Sequence, residues 1–338
     1  MQKGILFIPI DYRDKKPDVL FDEIIDQCNM VENFKFQEAF FGEHITDKYE
    51  KIMSSLMMVS SIAMITKKIK LGTLTSNLNF HKPAVISAMI SQADHLSKGR
   101  LILGIGSGAN MSDVEAADLL DKENHKLMLE NFKIISEIYN FSKDEPIDIK
   151  SANYTLSTRN TFNKELGLGY LNKLYNDRNN LEIVMPALNK NSYNVKICAE
   201  NNWSIAISNF CSDEIIKNHI ENYISYSNLS KKDALKKIRL TKLIYACEND
   251  TIAEKNLCSE KSPYLHVVDT IYKKLKTFNK HSCFGDNVKS PAEALKKIAF
   301  YGSSEKIKEQ INEYQTKYGE LSSIIYVSVP KTNNEIFD

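Results

Sequence analysis

The chain has 338 residues, and its 44 lysine and arginine residues nearly balance its 43 aspartate and glutamate residues. This balance gives no overall basic field, which argues against nucleic acid or an anionic membrane as the main partner. No window approaches the roughly 20 apolar residues that cross a bilayer, and the apolar run near the N-terminus is too short for the core of a signal peptide. The six cysteines form no CxxC motif, so we expect reduced thiols in a cytoplasmic protein.

Strand-like and helix-like patterns alternate along the chain. Short apolar runs predict eight strands, at residues 4–10, 38–41, 69–74, 101–105, 181–188, 203–207, 240–247 and 322–329. Amphipathic patterns predict helices at residues 21–34, 49–66, 84–96, 123–141, 192–201, 212–227, 251–278 with a break near Pro263, 290–300 and 303–318. The second helix is so apolar that we expect it to be well buried. Eight strands separated by helices predict a (β/α)8 TIM barrel, and a doubly wound open sheet is the alternative.

Two stretches interrupt this alternation. Residues 142–180 are rich in Asn, Lys, Tyr and Gly and contain one short strand or hairpin arm, at 148–156. A connection of this length is either functional or mobile. We interpret this stretch and residues 259–299 as irregular insertions in a single barrel domain that spans residues 1–338.

The segment HKPAVISAMISQADHLSKGRLILGIGSG, at residues 81–108, predicts a helix, a tight turn and a buried strand that ends in a glycine-rich loop. Gly104-x-Gly106-x-x-Ala109 matches a loose dinucleotide-binding fingerprint. However, the match follows the fourth strand rather than the first, and no long helix comes directly after it. A glycine turn on which a flat ligand can lie at the barrel mouth fits this context better.

Polar residues at the predicted strand ends are the candidates for chemistry, because TIM-barrel active sites lie at the carboxyl ends of the strands. His44 follows the second strand, where it either transfers protons or is hydrogen-bonded at the barrel rim. Residues 189–192 precede a helix and form either an anion-binding site or an ordinary helix cap. Asp94 and His95, inside the third helix, lack metal-ligand spacing, so we expect a structural role for them and no metal site.

Several motifs, taken together, resemble one family. They are FGEHITDKYE (41–50), IKLGTLTSNLNFHKPAVISAMISQADHLSKGRLILGIGSG (69–108), the aspartate at position 113, and YGSSEKIKEQINEYQTKYG (301–319). In this order they resemble the bacterial luciferase-like flavin monooxygenases over nearly the whole chain, most strongly over residues 38–140. The form GEH-x-T-x-x-x-E is most similar to the limonene and alkanal monooxygenase-like branch.

The resemblance implies a (β/α)8 barrel of the bacterial luciferase-like type that binds FMN at its mouth. It implies a two-component system: a separate flavin reductase supplies FMNH2, O2 reacts with the reduced flavin to a C4a-peroxide, and that species oxygenates a small organic substrate. Alternatives on the same fold are a deazaflavin-dependent oxidoreductase and a non-catalytic flavin-binding accessory subunit. A homodimer, or a heterodimer with a paralogue, is also expected by resemblance.

The resemblance also implies site residues. His44 takes the place of the family's catalytic histidine, and Leu74 and Thr75 fall where luciferases have a non-prolyl cis peptide bond beside the flavin ring. The other residues implied in cofactor binding are Asn77, Gly106, Ser107, Asp113, Asn191, Ser192 and Asn194. Gly106 and Ser107 stand where luciferases have a reactive cysteine and an arginine. We therefore do not expect light emission, and we expect the phosphate to be held more weakly or with help from Lys190.

Overall fold

The structure is a computed structural model, and it describes residues 1–11, 14–141, 144–277, 281–285 and 287–329. Residues 142–143, which begin the first predicted insertion, lie outside these ranges. So do Phe278, the predicted end of a helix, and residues 279–280 and 286 of the second predicted insertion.

Eight strands form one closed parallel barrel. They are β1 (Gln2–Phe7), β2 (Glu38–Phe41), β3 (Lys70–Thr73), β4 (Leu101–Gly106), β5 (Glu182–Ala187), β6 (Ser204–Ile207), β7 (Ile238–Lys242) and β8 (Ser323–Ser328). Their order in the sheet is β3-β2-β1-β8-β7-β6-β5-β4, and β3 also pairs with β4, which closes the ring. The predicted (β/α)8 barrel is therefore confirmed, and the open-sheet alternative is wrong.

Helices follow the strands through the described residues. They are α1 (Pro17–Asn33), α2 (Ser55–Ile65), α3 (Pro83–Leu96), α4 (Met111–Ala116), α5 (Asn124–Asn140), α6 (Tyr193–Glu200), α7 (Asp213–Tyr226), α8 (Lys231–Leu235), α9 (Asp250–Leu257), α10 (Pro263–Thr277), α11 (Pro291–Ile298) and α12 (Ser304–Tyr318). The short helices α4 and α8 were not predicted. Helix α1 begins four residues before its predicted start, because a proline suits the first turn of a helix.

Short strands supplement the barrel. The predicted strand at 240–247 is divided into β7 and Ile244–Ala246, which pairs with Phe300–Gly302 in a separate two-stranded sheet. Ser76–Asn77 pairs with the end of β4. Asp148–Lys150 and Thr155–Ser157 form an antiparallel hairpin in the first predicted insertion, which confirms the hairpin arm expected there.

Helix α2 differs most from its prediction. It starts six residues later than the predicted 49, because the hydroxyl of Ser54 accepts a hydrogen bond from the backbone N–H of Met57 and caps the helix there. Its Leu56 and Ile62 are buried, but Met57 is 67% exposed and Met64 is 70% exposed. The expectation of a well-buried helix is therefore wrong for one of its faces.

The chain contains two compact units. The first comprises residues 1–40, 48–51 and 184–338, and the second comprises residues 41–47 and 52–183. The single-domain assignment remains a prediction. Within 259–299, the structure places helices α10 and α11.

A buried ion pair lies inside the first unit. Arg239 on β7 donates two hydrogen bonds to the carboxylate of Glu38 on β2, from Nε at 3.0 Å and from Nη2 at 2.7 Å. The hydroxyl of Ser323 on β8 donates a third, at 3.0 Å. Both charged side chains are almost fully buried. Three strands far apart in sequence are thus joined by one polar network within the barrel.

Lys242, at the end of β7, is a second buried charge of this unit. Its ammonium donates to the carbonyl of Ile298 and to the hydroxyl of Tyr314, each at 3.2 Å. It also lies 4.9 Å from the ring centres of Phe300 and Tyr314. Burial lowers the pKa of Lys242 to about 8, and the nearby carboxylate of Asp213 opposes the shift.

The lowered pKa of Lys242 predicts that the unfolding free energy depends on pH. Its folded pKa of about 8 lies below the ordinary 10.5, so between these values the unfolded chain binds a proton that the folded chain lacks. Folding is then favoured as the pH rises, by about 2 kcal/mol between pH ~8 and ~9.5. We expect this rise as the difference in unfolding free energy between the wild type and Lys242→Met, measured by urea denaturation. A difference that is constant over this range would contradict the prediction.

The first predicted insertion is fastened to the second unit by specific contacts. The ammonium of Lys173 donates to the carbonyl of Tyr139 at 2.7 Å, and it also bonds the carbonyl of Phe141 at the end of α5. Asp94 on α3 is fully buried, pairs with Arg178 and accepts from the backbone N–H of Tyr175 at 2.9 Å. These bonds hold residues 173–178 against α3 and α5, and they confirm the structural role expected for Asp94.

Among the described residues, none of the helices combines the length and the apolar content that a bilayer crossing requires.

Candidate active site

A histidine and an aspartate meet after β2. His44 lies three residues past the end of β2, and Asp113 lies in the first turn of α4. The Nδ1–H of His44 donates to Oδ2 of Asp113 at 2.7 Å. The Asp113 side chain is 2% exposed and the His44 side chain 24%. The structure thus brings together two of the predicted site residues that are 69 positions apart in sequence.

The Asp113 carboxylate is held in its ionised form. Burial opposes ionisation, but hydrogen bonds from His44 and Thr46 outweigh it and lower the pKa of Asp113 below its ordinary value. The backbone N–H of Thr46 donates to Oδ1 at 2.8 Å, and the hydroxyl of Thr46 donates to the same oxygen. An ionised acceptor at Nδ1 fixes the ring orientation and the tautomer of His44, so that Nε2 is its basic nitrogen.

The end of β3 and the loop after β4 form one tightly packed group. The peptide bond between Leu74 and Thr75 is cis, at the position where the resemblance implied one. Oδ1 of Asn77 accepts from the backbone N–H of Gly108 at 3.1 Å. Ser107 is half-buried, and its carbonyl accepts a long hydrogen bond, 3.4 Å, from the side chain of Asn79. Four predicted residues, Thr75, Asn77, Gly106 and Ser107, therefore lie in one neighbourhood of the second unit.

Gly106 has no space for a side chain. A Cβ at this position would lie 2.2 Å from Oγ1 of Thr75 and 2.8 Å from Oδ1 of Asn77. Such distances are far below ordinary contact, so a side chain here displaces its neighbours. The reactive cysteine that luciferases have at this position would not fit beside Thr75 and Asn77.

We expect Gly106→Ala to lower the unfolding free energy by about 1–3 kcal/mol, because the new methyl group forces Thr75 or Asn77 to move. Urea denaturation followed by circular dichroism measures this change. If crowding is the cause, Thr75→Ala in the same chain restores part of the loss, since it removes the nearest atom. Gly106→Ala with wild-type stability would contradict the packing described here.

The predicted phosphate-binding residues lie in the first unit, at the start of α6. Ser192 is the N-cap residue of α6 but makes no capping hydrogen bond with its side chain. Nδ2 of Asn194 donates to the carbonyl of Pro186 at 2.8 Å. Oδ1 of Asn191 accepts hydrogen bonds from the side chains of Asn218 and Asn222. Of these three residues, Ser192 alone carries a hydroxyl, and it lies at the helix start, where backbone N–H groups suit an anion.

Lys190 pairs with a surface carboxylate. Its ammonium lies 2.6 Å from Oε1 of Glu214, and both side chains are more than half exposed. In this arrangement the lysine is directed to Glu214. The structure therefore offers no support for the expected help of Lys190 in holding a phosphate.

Two residues of the site were missed by the sequence analysis. Thr46 donates twice to Asp113, and Glu43 accepts hydrogen bonds from Ser55 and Asn77. Both lie in the motif FGEHITDKYE that carries the resemblance, so their position was a usable signal. Their partners are distant in sequence, and no local pattern indicates them.

Comparisons with known proteins show what the chain is similar to. Residues 5–165 match the sequence model of the luciferase-like monooxygenase family. A 2,5-diketocamphane 1,2-monooxygenase from Pseudomonas putida is 22% identical over 291 residues, which cover 82% of this chain and 77% of the relative. Limonene 1,2-monooxygenase from Rhodococcus erythropolis is 26% identical over 135 residues, which cover 40% of this chain and 35% of the relative.

A solved structure extends the likeness to the whole fold. It is the oxygenating constituent of 3,6-diketocamphane monooxygenase from Pseudomonas putida, a type II Baeyer–Villiger monooxygenase in complex with FMN. It matches with a TM-score of 0.82 and 18% sequence identity, covering 97% of this chain and 91% of that chain. Motif, family match and fold agree: residues 5–165 match the luciferase-like monooxygenase family, and the chain shares the fold of a solved monooxygenase over 97% of its length.

Proposed function

We propose that the chain is an FMN-dependent monooxygenase that takes FMNH2 from a separate flavin reductase and transfers one oxygen atom of O2 to a small organic substrate. A ketone is the first substrate class to test, because relatives over most of the chain are named diketocamphane monooxygenases. With a ketone, the reaction converts ketone, O2 and FMNH2 into ester, FMN and water. The observation that carries the proposal is the pairing of His44 with the buried, ionised Asp113.

The described residues fit a flavin in two respects. At Gly106, Thr75 and Asn77 fill the space that a side chain would take, and we propose that a flat ring lies against the backbone of this packed group. At the start of α6, the Ser192 hydroxyl and the first backbone N–H groups of the helix suit a phosphate. We propose that Leu74, Thr75, Asn77, Gly106 and Ser107 contact the ring. We also propose that Asn191, Ser192 and Asn194 contact the phosphate.

A bound reduced flavin supplies the electrons that activate O2. In the proposed mechanism, His44 accepts or donates a proton at Nε2, while Asp113 holds the ring through Nδ1. Because Asp113 remains ionised, it stabilises the imidazolium that forms when Nε2 takes a proton. The partial burial of His44 also limits the access of water to this nitrogen.

The proposal is tested by supplying chemically reduced FMN, ¹⁸O2 and a panel of cyclic and bicyclic ketones to the purified protein. Mass spectrometry is expected to find an ester that has gained one labelled oxygen. Parallel reactions without protein measure the oxidation that free FMNH2 causes. No labelled product from any ketone, alkene or aldehyde, combined with no substrate-dependent O2 uptake, would contradict monooxygenase activity and would favour the accessory-subunit alternative.

A titration separates the two cofactor candidates. The chain is mixed with FMN and, separately, with a deazaflavin, and binding is followed by the change in cofactor fluorescence. Tighter binding of FMN supports the proposal. Tighter binding of the deazaflavin, with hydride transfer from an alcohol, would support the oxidoreductase alternative instead.

We further propose that the exposed apolar face of α2 lies in a homodimer or in a heterodimer with a paralogue. Met57, Met64 and Val85 are each more than half exposed, and α2 packs against α3 within the second unit. Large exposed apolar patches of this kind mark interaction sites. Sedimentation velocity of the purified chain tests whether it associates with itself.

A further inference from the structure

We propose that Glu43 is a positioning residue that fixes the flavin-facing loops relative to His44. The residue directly precedes His44 and is 8% exposed. Its side chain joins two segments that flank the candidate site, the start of α2 and the short strand Ser76–Asn77. This inference rests on the proposed function, because it concerns the same flavin site.

The two carboxylate oxygens of Glu43 accept hydrogen bonds from different residues. Oε2 accepts from the backbone N–H of Ser55 at 2.8 Å and from its hydroxyl at 2.7 Å. Oε1 accepts from the backbone N–H of Asn77 at 2.7 Å. Among the described residues no cation pairs with this carboxylate, so its charge is balanced by these donors and by the N-terminal end of α2.

The bond to Asn77 extends into the packed group around Gly106. Oδ1 of Asn77 accepts from the backbone N–H of Gly108, and the same oxygen and Oγ1 of Thr75 occupy the space where a Cβ of Gly106 would lie. The Glu43 carboxylate therefore fixes the position of the Asn77 backbone. The Asn77 side chain in turn fixes the position of the loop after β4. Loss of either contact moves backbone that the proposed flavin ring touches, without removing any group that touches the flavin.

The experiment compares Glu43→Gln with Glu38→Gln. Both replace a buried carboxylate by an amide of the same shape, but Glu38 lies inside the barrel with Arg239 and Ser323. In Glu43→Gln the amide nitrogen faces either Ser55 or Asn77, where a donor is already present, so one contact is lost. We expect FMN to bind about tenfold more weakly to Glu43→Gln, with lower kcat. Glu38→Gln is expected to lose stability but to keep wild-type FMN affinity.

Affinity is measured by fluorescence titration at a temperature where all variants are folded. An FMN affinity of Glu43→Gln within twofold of the wild-type value would overturn the positioning role. If the wild type itself does not bind FMN, the proposed function is wrong. If the wild type binds FMN and Glu43→Gln binds it equally well, only the positioning role of Glu43 is wrong. Should Glu43→Gln not fold, Glu43→Asp keeps the charge but shortens the reach to Asn77. It is expected to weaken FMN binding as well, and unchanged affinity there would overturn the proposal.

Discussion

Replacing His44 with alanine is expected to lower kcat by about two to four orders of magnitude, the range for removal of a general acid or base. The fold is expected to remain intact, because the His44 side chain is partly exposed and its backbone bond to Ile52 is kept. Asp113→Asn is expected to cost less than His44→Ala. It keeps the shape of the side chain and removes the negative charge at Nδ1. Rates are measured with FMNH2, O2 and a ketone identified by the ¹⁸O2 experiment.

His81→Ala is the matched control for His44→Ala. His81 is also a half-buried histidine of the second unit, and it is not among the proposed site residues. Its replacement is expected to leave kcat unchanged. Full activity of His44→Ala with the same ketone would remove His44 from the mechanism, while equal losses in both variants would indicate a general effect on the fold.

The largest expected effect on stability comes from Glu38→Gln or Glu38→Ala. Either change leaves the Arg239 guanidinium buried without its carboxylate, and breaking a buried ion pair in this way costs about 3–5 kcal/mol. Ser323→Ala removes only one neutral donor and is expected to cost about 1 kcal/mol. The unfolding free energy from urea denaturation measures both changes.

The double variant Glu38→Leu with Arg239→Met tests the cause of that loss. Because it removes both charges together, it is expected to recover most of the stability lost by breaking the pair. A double variant as unstable as Glu38→Gln would show that packing around the pair, rather than the unpaired charge, determines the loss.

The sequence predicted the barrel because strand runs are a local signal. Segments such as β4, buried at all six positions, show as continuous apolar runs whatever their partners are. The helix starts were less accurate. Helix α2 begins where the Ser54 hydroxyl caps it, and an apolar count extended it to residue 49 through segments that are not helical.

Burial and pairing could not be predicted in the same way. The apolar content of α2 does not reveal which face another element covers, and so Met57 and Met64 were expected to be buried although they are exposed. The pair of Glu38 with Arg239 joins residues 201 positions apart. No periodicity encodes such a contact, because it exists only once the strands are in register.

The candidate site was predicted in part. The resemblance selected His44 and Asp113 separately, and the structure shows their hydrogen bond. It also selected residues 191–194 together, but their side chains differ: Asn191 and Asn194 are bonded elsewhere, and Ser192 makes no capping bond. The assigned roles of all these residues stay predictions until the variants are measured.

The fastening of the first insertion has a consequence for redesign of the enzyme. The insertion is tied by Glu130 to Asn153 on one side, and by Lys173 and Arg178 on the other. Residues 158–170 between these ties carry the exposed Leu166 and Leu168. Thr158 and Arg159, at the base of this segment, are bonded to Ile147 and Asp148, so we expect residues 160–170 to tolerate exchange for another sequence while these supports stay in place. New sequences can therefore be screened in this segment without changes to the strands of the barrel.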